Sequence, residues 1–165
     1  MSFISALRSG INGIIDDITT PESFKLGERF EKYVRDVLFP ESHYILVERT
    51  HNYNTNKKDF VEASLKPDFK FRDKKTNKEF YVEAKVRSNT LDGKIVWCNQ
   101  KQLDRYNGYN KQKPAFIILD FGETSEFLSL IPLSKAKYTG LFPSYAKQFQ
   151  IDYDIPVKSQ TLWNR

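Results

Sequence analysis

Two runs in the middle of the chain alternate apolar and polar residues with a period of two, as half-buried β-strands do. In the first run, over 65–72, the apolar positions are Leu65, Pro67, Phe69 and Phe71. In the second run, over 80–87, they are Phe80, Val82, Ala84 and Val86. The polar segment 73–78 between the runs is turn-like, so the pair predicts an antiparallel hairpin.

The register of this hairpin can be predicted from parity. Both apolar sets share one face only if directly paired residues have numbers that sum to an odd value. Centring the turn on Lys75 and Thr76 then places Asp68 opposite Glu83, with Cβ atoms about 4.5–5.5 Å apart. Like charges placed there repel, so two facing carboxylates indicate a divalent cation between them. Lys85 lies on the same face, which we expect to be open to solvent. A glutamate and a lysine two residues apart are common on the solvent-facing side of a strand, where they usually have no catalytic role.

Apolar spacing elsewhere predicts the remaining elements. They are a helix over 21–38, a strand over 44–47, a helix that begins at the cap Asn99 and ends before Pro114, and strands over 115–121 and 127–131. The asparagine-rich segment 50–64 predicts a long loop, which would either be disordered or contact a substrate. Gln102, three residues after Asn99, fits a capping box. This order predicts an α/β domain around a mixed sheet.

The two ends of the chain give less information. Apolar residues recur every three or four positions over 1–20 and predict an amphipathic helix. That helix would pack on the domain or form a homodimer contact. The segment 133–165 reads as a C-terminal extension with a short helix near 144–148. We therefore expect one domain over 1–165.

Composition and charge restrict the function. The single cysteine, Cys98, excludes an internal disulfide and fits the reducing cytoplasm. No apolar run is long enough for a membrane span, and the N-terminus lacks a signal-peptide core. The net charge is +5, and residues 57–113 hold 15 Lys and Arg against 8 Asp and Glu. A cationic rim around a few carboxylates suits a polyanion that approaches a metal, although charge alone equally fits a lysine-rich surface.

Four short motifs resemble the signature of the PD-(D/E)XK nucleases. They are Gly27-Glu28-Arg29-Phe30-Glu31, Pro67-Asp68, Glu83-Ala84-Lys85 and Gln102-Leu103-Asp104-Arg105-Tyr106. This restriction-endonuclease-like superfamily includes archaeal Holliday junction resolvases. The match covers about 27–121, and the resemblance implies an αβββαβ core with a central mixed sheet flanked by helices.

The resemblance also implies roles for individual residues. Asp68 and Glu83 would bind Mg²⁺ or Mn²⁺, with the carbonyl oxygen of Ala84 as a further ligand, because hard cations prefer oxygen. Lys85 would hold the attacking water or help to deprotonate it.

Two helix residues belong to the implied site as well. Glu31 resembles the helix carboxylate that completes the metal shell, and Glu28 would replace it if the helix were rotated. Gln102 resembles a helix glutamine found near the active centre in resolvase-like branches.

We therefore expect a metal-dependent deoxyribonuclease that acts as an endonuclease, with DNA favoured over RNA as the substrate. The alternatives are a catalytically inactive nucleic-acid-binding module on the same fold and a structural protein whose carboxylates hold a stabilising ion. The basic residues expected to meet nucleic acid are Lys66, Lys70, Arg72, Arg87, Lys101 and Arg105.

Overall fold

The structure, a computed structural model, describes residues 22–50, 66–122 and 126–165. The helix predicted over 1–20 and nearly all of the loop predicted over 50–64 lie outside these residues. The homodimer contact assigned to the first of them therefore stays a prediction. None of the described helices is long and apolar enough to cross a membrane.

A six-stranded sheet forms the centre of the described residues. Its strands, in chain order, are β1 (Tyr44–Arg49), β2 (Phe69–Asp73), β3 (Glu79–Arg87), β5 (Ala115–Phe121), β6 (Phe127–Pro132) and β8 (Gln150–Ile151). They lie side by side in that same order, and every neighbouring pair is antiparallel except β3 and β5, which are parallel. Strands β4 (Ile95–Val96) and β7 (Gly140–Leu141) form a separate two-stranded sheet.

Helices lie before, between and after the strands. Helix α1 (Glu22–Tyr33) continues into a π-helical turn (Val34–Leu38), α2 (Gln100–Gln112) connects β4 to β5, and α3 (Pro143–Ala146) and α4 (Ser159–Trp163) follow near the C-terminus. The elements predicted within the described residues are therefore present, and the helix expected near 144–148 corresponds to α3 with the 3₁₀ turn Lys147–Phe149 that follows it.

The hairpin has the predicted register. Phe69 pairs with Val82 and Phe71 pairs with Phe80 across β2 and β3. The turn between the strands contains Asn77 with a φ of 60°, a left-handed conformation that asparagine tolerates better than most residues do.

Both faces of the sheet are covered at β3 and β5, which corrects the prediction of a solvent-facing side on β3. Phe71, Phe80 and Val82 pack against α1 and its π-helical turn. On the other face Tyr81 belongs to a second apolar cluster with Leu103 of α2. The reason is topological, because two parallel neighbouring strands need a crossover connection, and the crossover between β3 and β5 lays α2 over that face.

The C-terminal segment is fastened to the hairpin through Asp73, which is 1% exposed. Its carboxylate accepts hydrogen bonds from the hydroxyl of Ser159 and, at 2.8 Å, from the indole N–H of Trp163. The backbone N–H of Lys75 and the hydroxyl of Thr76 also donate to it, at 2.9 and 3.0 Å. Burial alone would raise the pKa of Asp73, but these donors outweigh it and hold the pKa below its usual value.

We predict that Asp73→Ala lowers the free energy of unfolding by about 2–4 kcal/mol, because several buried donors lose a charged acceptor together. The carboxylate should stabilise the protein most above its unfolded pKa, so the deficit should shrink as the pH falls through the lowered folded pKa. Chemical denaturation at several pH values measures both effects. Asp152→Ala, at an exposed position, is the control. An equal loss in both variants would contradict the assignment.

Candidate active site

Glu83 on β3 is a buried carboxylate, 7% exposed, and it is the centre of a hydrogen-bonded cluster. The backbone N–H of Asp68 donates to its Oε2 at 3.1 Å. The hydroxyl of Tyr106, on α2, donates to its Oε1 at 2.6 Å. The ammonium of Lys85 lies 2.8 Å from the same Oε1. One carboxylate thus connects β2, β3 and α2.

Asp68 lies directly before β2 and reaches across to β3. Its Oδ2 accepts a hydrogen bond of 2.8 Å from the backbone N–H of Ala84. The paired register between the two strands ends at Phe69 and Val82. Beyond that pair the carboxylates of Asp68 and Glu83 provide the links between the strands, and this brings the two acidic residues together as the parity argument predicted.

A third carboxylate, that of Glu31 on α1, lies near the other two. Burial and then the charge of Glu83 raise the pKa of Glu31 to about 7, and the cation of Arg49 opposes the rise. Burial also raises the pKa of Asp68, and the charges of Glu83 and Glu31 raise it further. The proximity of Glu31 to Glu83 favours Glu31 over Glu28 as the helix carboxylate of the site.

Lys85 is largely shielded from solvent, since its side chain is 14% exposed. Burial by itself would lower its pKa, but the charges of Glu83 and Asp68 outweigh burial and raise the pKa above the usual value. Its amine therefore carries a proton at neutral pH. In this arrangement Lys85 supplies positive charge and hydrogen-bond donors, not a free base.

Gln102 has a structural role at the start of α2. Its side-chain oxygen accepts from the backbone N–H of Asn99 at 3.1 Å, and the side chain of Asn99 accepts from the backbone N–H of Gln102 at 2.9 Å. This is the capping box that the spacing allowed. None of the hydrogen bonds described for Gln102 reaches Asp68, Glu83 or Lys85, so its place in the chemistry stays a prediction.

Tyr106, one helical turn after Gln102, is the site residue that sequence reasoning missed. Burial and then the charge of Glu83 raise the pKa of Tyr106, so the hydroxyl stays protonated and donates a hydrogen bond to the carboxylate. Its ring stacks on Trp97 with centroids 5.9 Å apart. Its spacing from Gln102 puts both residues on one side of the helix, which was the available signal.

The basic residues expected to meet nucleic acid differ in what they contact. Lys66 and Lys70 both pair with Glu48, at 2.8 and 3.2 Å. Arg72 pairs with Glu79 at 2.7 Å. These three cations therefore already have carboxylate partners that an approaching phosphate would have to displace.

The other three basic residues lie closer to α2. Arg87 donates from Nε to the carbonyl of Val96 at 2.8 Å, and from its other nitrogens to the carbonyls of Trp97 and Val86. The structure thus gives Arg87 a bracing role between β3 and β4. Lys101 is exposed on α2, and Arg105 is half-buried there with an Nε that has no hydrogen-bond partner within the described part of the chain.

The chemistry of the donor set fits a hard divalent cation, because carboxylates and a backbone carbonyl are oxygen ligands. No group of three or more His, Cys, Asp or Glu side chains within 22–50, 66–122 and 126–165 is arranged to hold a metal ion. Mg²⁺ is usually bound through one or two carboxylates together with waters and substrate phosphates. The pair Asp68 and Glu83 meets that smaller requirement in donor type.

Comparison with known proteins identifies the fold. No family model matches the chain, and no curated protein matches it. Among solved structures, the chain is similar to Hjc of Archaeoglobus fulgidus, a Holliday junction resolvase from an archaeal hyperthermophile, with a TM-score of 0.51 and 11% sequence identity. The similarity covers 76% of this chain and 94% of the resolvase chain. The fold is therefore the restriction-endonuclease-like α/β fold, as the sequence predicted.

We predict that Glu31→Gln stabilises the metal-free protein at neutral pH by about 2–3 kcal/mol, because it removes a carboxyl that folding makes harder to ionise. The pKa of Glu31 is raised from 4.5 to about 7. The free energy of unfolding of the parent protein should therefore fall as the pH rises through that interval, and the variant should lose much of this fall.

Chemical denaturation in a chelator at pH 4.5, 6 and 8 measures this prediction. Glu28→Gln, one turn earlier on α1, is the matched control and should have a smaller effect. Equal pH profiles for the parent and Glu31→Gln would show that folding does not raise the pKa of Glu31.

Proposed function

We propose that the protein is a divalent-metal-dependent nuclease of the PD-(D/E)XK type, an endonuclease that hydrolyses phosphodiester bonds in DNA. The observation that supports it most strongly is the convergence of Asp68, Glu83 and Lys85 at the end of the β2–β3 pairing, with a salt bridge of 2.8 Å between the last two. The fold similarity to a resolvase agrees with nuclease chemistry.

In this proposal Asp68 and Glu83 hold Mg²⁺ or Mn²⁺, together with the carbonyl oxygen of Ala84, and Glu31 completes the ligand shell. When bound, the ion would lower the pKa of a coordinated water and neutralise charge that develops on the phosphate. The raised pKa values of Glu31 and Asp68 are consistent with such a site, since burial and then the neighbouring carboxylate charges oppose ionisation until a cation offsets them.

The remaining chemistry belongs to residues of the chain. The ammonium of Lys85 orients the attacking water and stabilises negative charge on the reacting phosphate. Tyr106 donates to the same Oε1 of Glu83 as Lys85 contacts, and this second contact helps to keep the carboxylate in one orientation. The cover of α2 restricts access of water to both groups, which strengthens their electrostatic interactions.

A non-catalytic nucleic-acid-binding module is the second candidate. Loss of the lysine or of a carboxylate would favour it, but Asp68, Glu83 and Lys85 are all present and in contact through the strand pair. A set of branched, single-stranded and plasmid DNA substrates, with and without Mn²⁺, separates the two. The nuclease cleaves at least one substrate with metal, whereas the binding module shifts DNA but cleaves none.

We predict that Lys85→Met abolishes cleavage, a loss of about a hundredfold or more, because the substitution keeps the buried volume but removes the charge. Lys85→Arg keeps the cation beside Glu83 and serves to check that the fold tolerates the site. Lys113→Met, which removes a lysine 3.1 Å from Glu79, is the matched control and should cleave like the parent. A fully active Lys85→Met protein with a normal melting curve would exclude the role proposed for this lysine.

We predict that Asp68→Asn weakens Mg²⁺ or Mn²⁺ binding by about tenfold or more, since a full negative charge leaves the ligand set. The amide oxygen can still accept from the backbone N–H of Ala84, so the strand link survives. The melting temperature without metal should rise, because carboxylate repulsion is relieved. Titration calorimetry measures the metal affinity, and thermal unfolding measures the melting temperature. Asp104→Asn, at an exposed position of α2, is the control. Unchanged metal affinity would remove Asp68 from the site.

A further inference from the structure

A cleft of about 900 Å³ lies beside the small β4–β7 sheet and is not used by the proposed chemistry. Half of the large apolar side chains that are exposed among the described residues line it, namely Leu91, Val96, Tyr138 and Phe142. Tyr138 is 72% exposed and Phe142 is 54% exposed. Two aromatic rings that open to solvent in one concave surface are available to stack on a flat ligand.

The same cleft is cationic. Lys94, Lys135 and Lys137 line it, and Asp92 is the only acidic residue among the described lining residues. The ammonium of Lys94 lies 5.3 Å from the centroid of the Phe142 ring, so charge and aromatic surface are adjacent. A ligand with an anionic backbone and flat apolar groups meets both features, whereas an apolar peptide would leave three ammonium groups without a counter-charge.

The cleft is also joined to the candidate active site. Arg87, two residues after Lys85 and about 7 Å from it along β3, donates to the carbonyl of Val96, which lines the cleft. Trp97, which follows Val96, packs in the same apolar cluster as Tyr81 of β3. The cleft therefore lies on the side of the sheet that carries Glu83 and Lys85.

We propose that this cleft binds an unpaired strand of a nucleic acid, with bases stacked on Tyr138 and Phe142 and phosphates bound by Lys94, Lys135 and Lys137. Interleaved aromatic and basic side chains are the usual means of holding single strands without reading their sequence. The proposal rests on the proposed function only in taking this strand to be part of the substrate. It favours substrates with a single-stranded segment next to the cleaved bond.

The test uses fluorescence anisotropy of the full chain in a chelator, so that no cleavage occurs. Three labelled probes of equal length are compared: an oligothymidylate, the same strand with abasic sites in place of its bases, and a duplex. The double variant Tyr138→Ala/Phe142→Ala should bind the oligothymidylate about tenfold more weakly, as loss of stacking on exposed rings predicts. Its affinity for the abasic strand and for the duplex should change less than about twofold.

The controls separate stacking from charge and from misfolding. Ile155→Ala removes an apolar side chain that is 50% exposed outside the cleft and should bind every probe like the parent. Lys135→Ala/Lys137→Ala should weaken the oligothymidylate and the abasic strand alike. Phe142→Leu keeps apolar volume without an aromatic face, so it should reproduce part of the selective loss even if the double variant is unstable.

The outcomes decide the inference independently of the proposed function. Selective loss on the base-bearing strand supports it. Equal loss on base-bearing and abasic strands, no loss at all, or no single-strand binding by the parent protein overturns it, and a peptide ligand then becomes the occupant to seek. Absence of metal-dependent cleavage by the parent protein would refute the nuclease assignment. The anisotropy result would still decide whether the cleft binds a single strand.

Discussion

The site depends on a balance between carboxylate repulsion and the donors that hold the carboxylates in place. Asp68 and Glu83 would separate if they met only each other. The backbone N–H groups of Asp68 and Ala84, the hydroxyl of Tyr106 and the ammonium of Lys85 fix them instead. Burial and, after it, the charges of the neighbouring carboxylates raise the pKa values of Glu31 and Asp68. A cluster held in this way is prepared for positive charge before any ligand arrives.

The topology of the sheet determines why this balance forms where it does. The hairpin of β2 and β3 delivers two acidic residues to one end of the strand pair, and the parallel pairing of β3 with β5 brings α2 across Glu83. A helix in that position contributes a buried hydroxyl from Tyr106, which donates to Glu83. The ion pair between Glu83 and Lys85 is largely shielded from water, and electrostatic interactions are stronger in such an environment.

Parity and apolar periodicity were sufficient for the hairpin, its register and the order of elements, because these depend on local residue alternation. They were insufficient to predict the environment of Lys85, because the 14% exposure of its side chain depends on tertiary packing and not on local alternation. The sequence did not predict Tyr106 as a hydrogen-bond donor to Glu83 for the same reason, since the two residues lie 23 positions apart. The junction of Asp73 with Ser159 and Trp163 spans still more of the chain, and no spacing rule predicts it.

The pairing of Glu48 with both Lys66 and Lys70 has a consequence for selectivity. One carboxylate there balances two ammonium groups, so under the proposed function an isolated anion would gain little by exchanging with it. A chain of phosphates would engage both ammonium groups together. The arrangement would then favour polymers over mononucleotides and inorganic anions, a discrimination by valence.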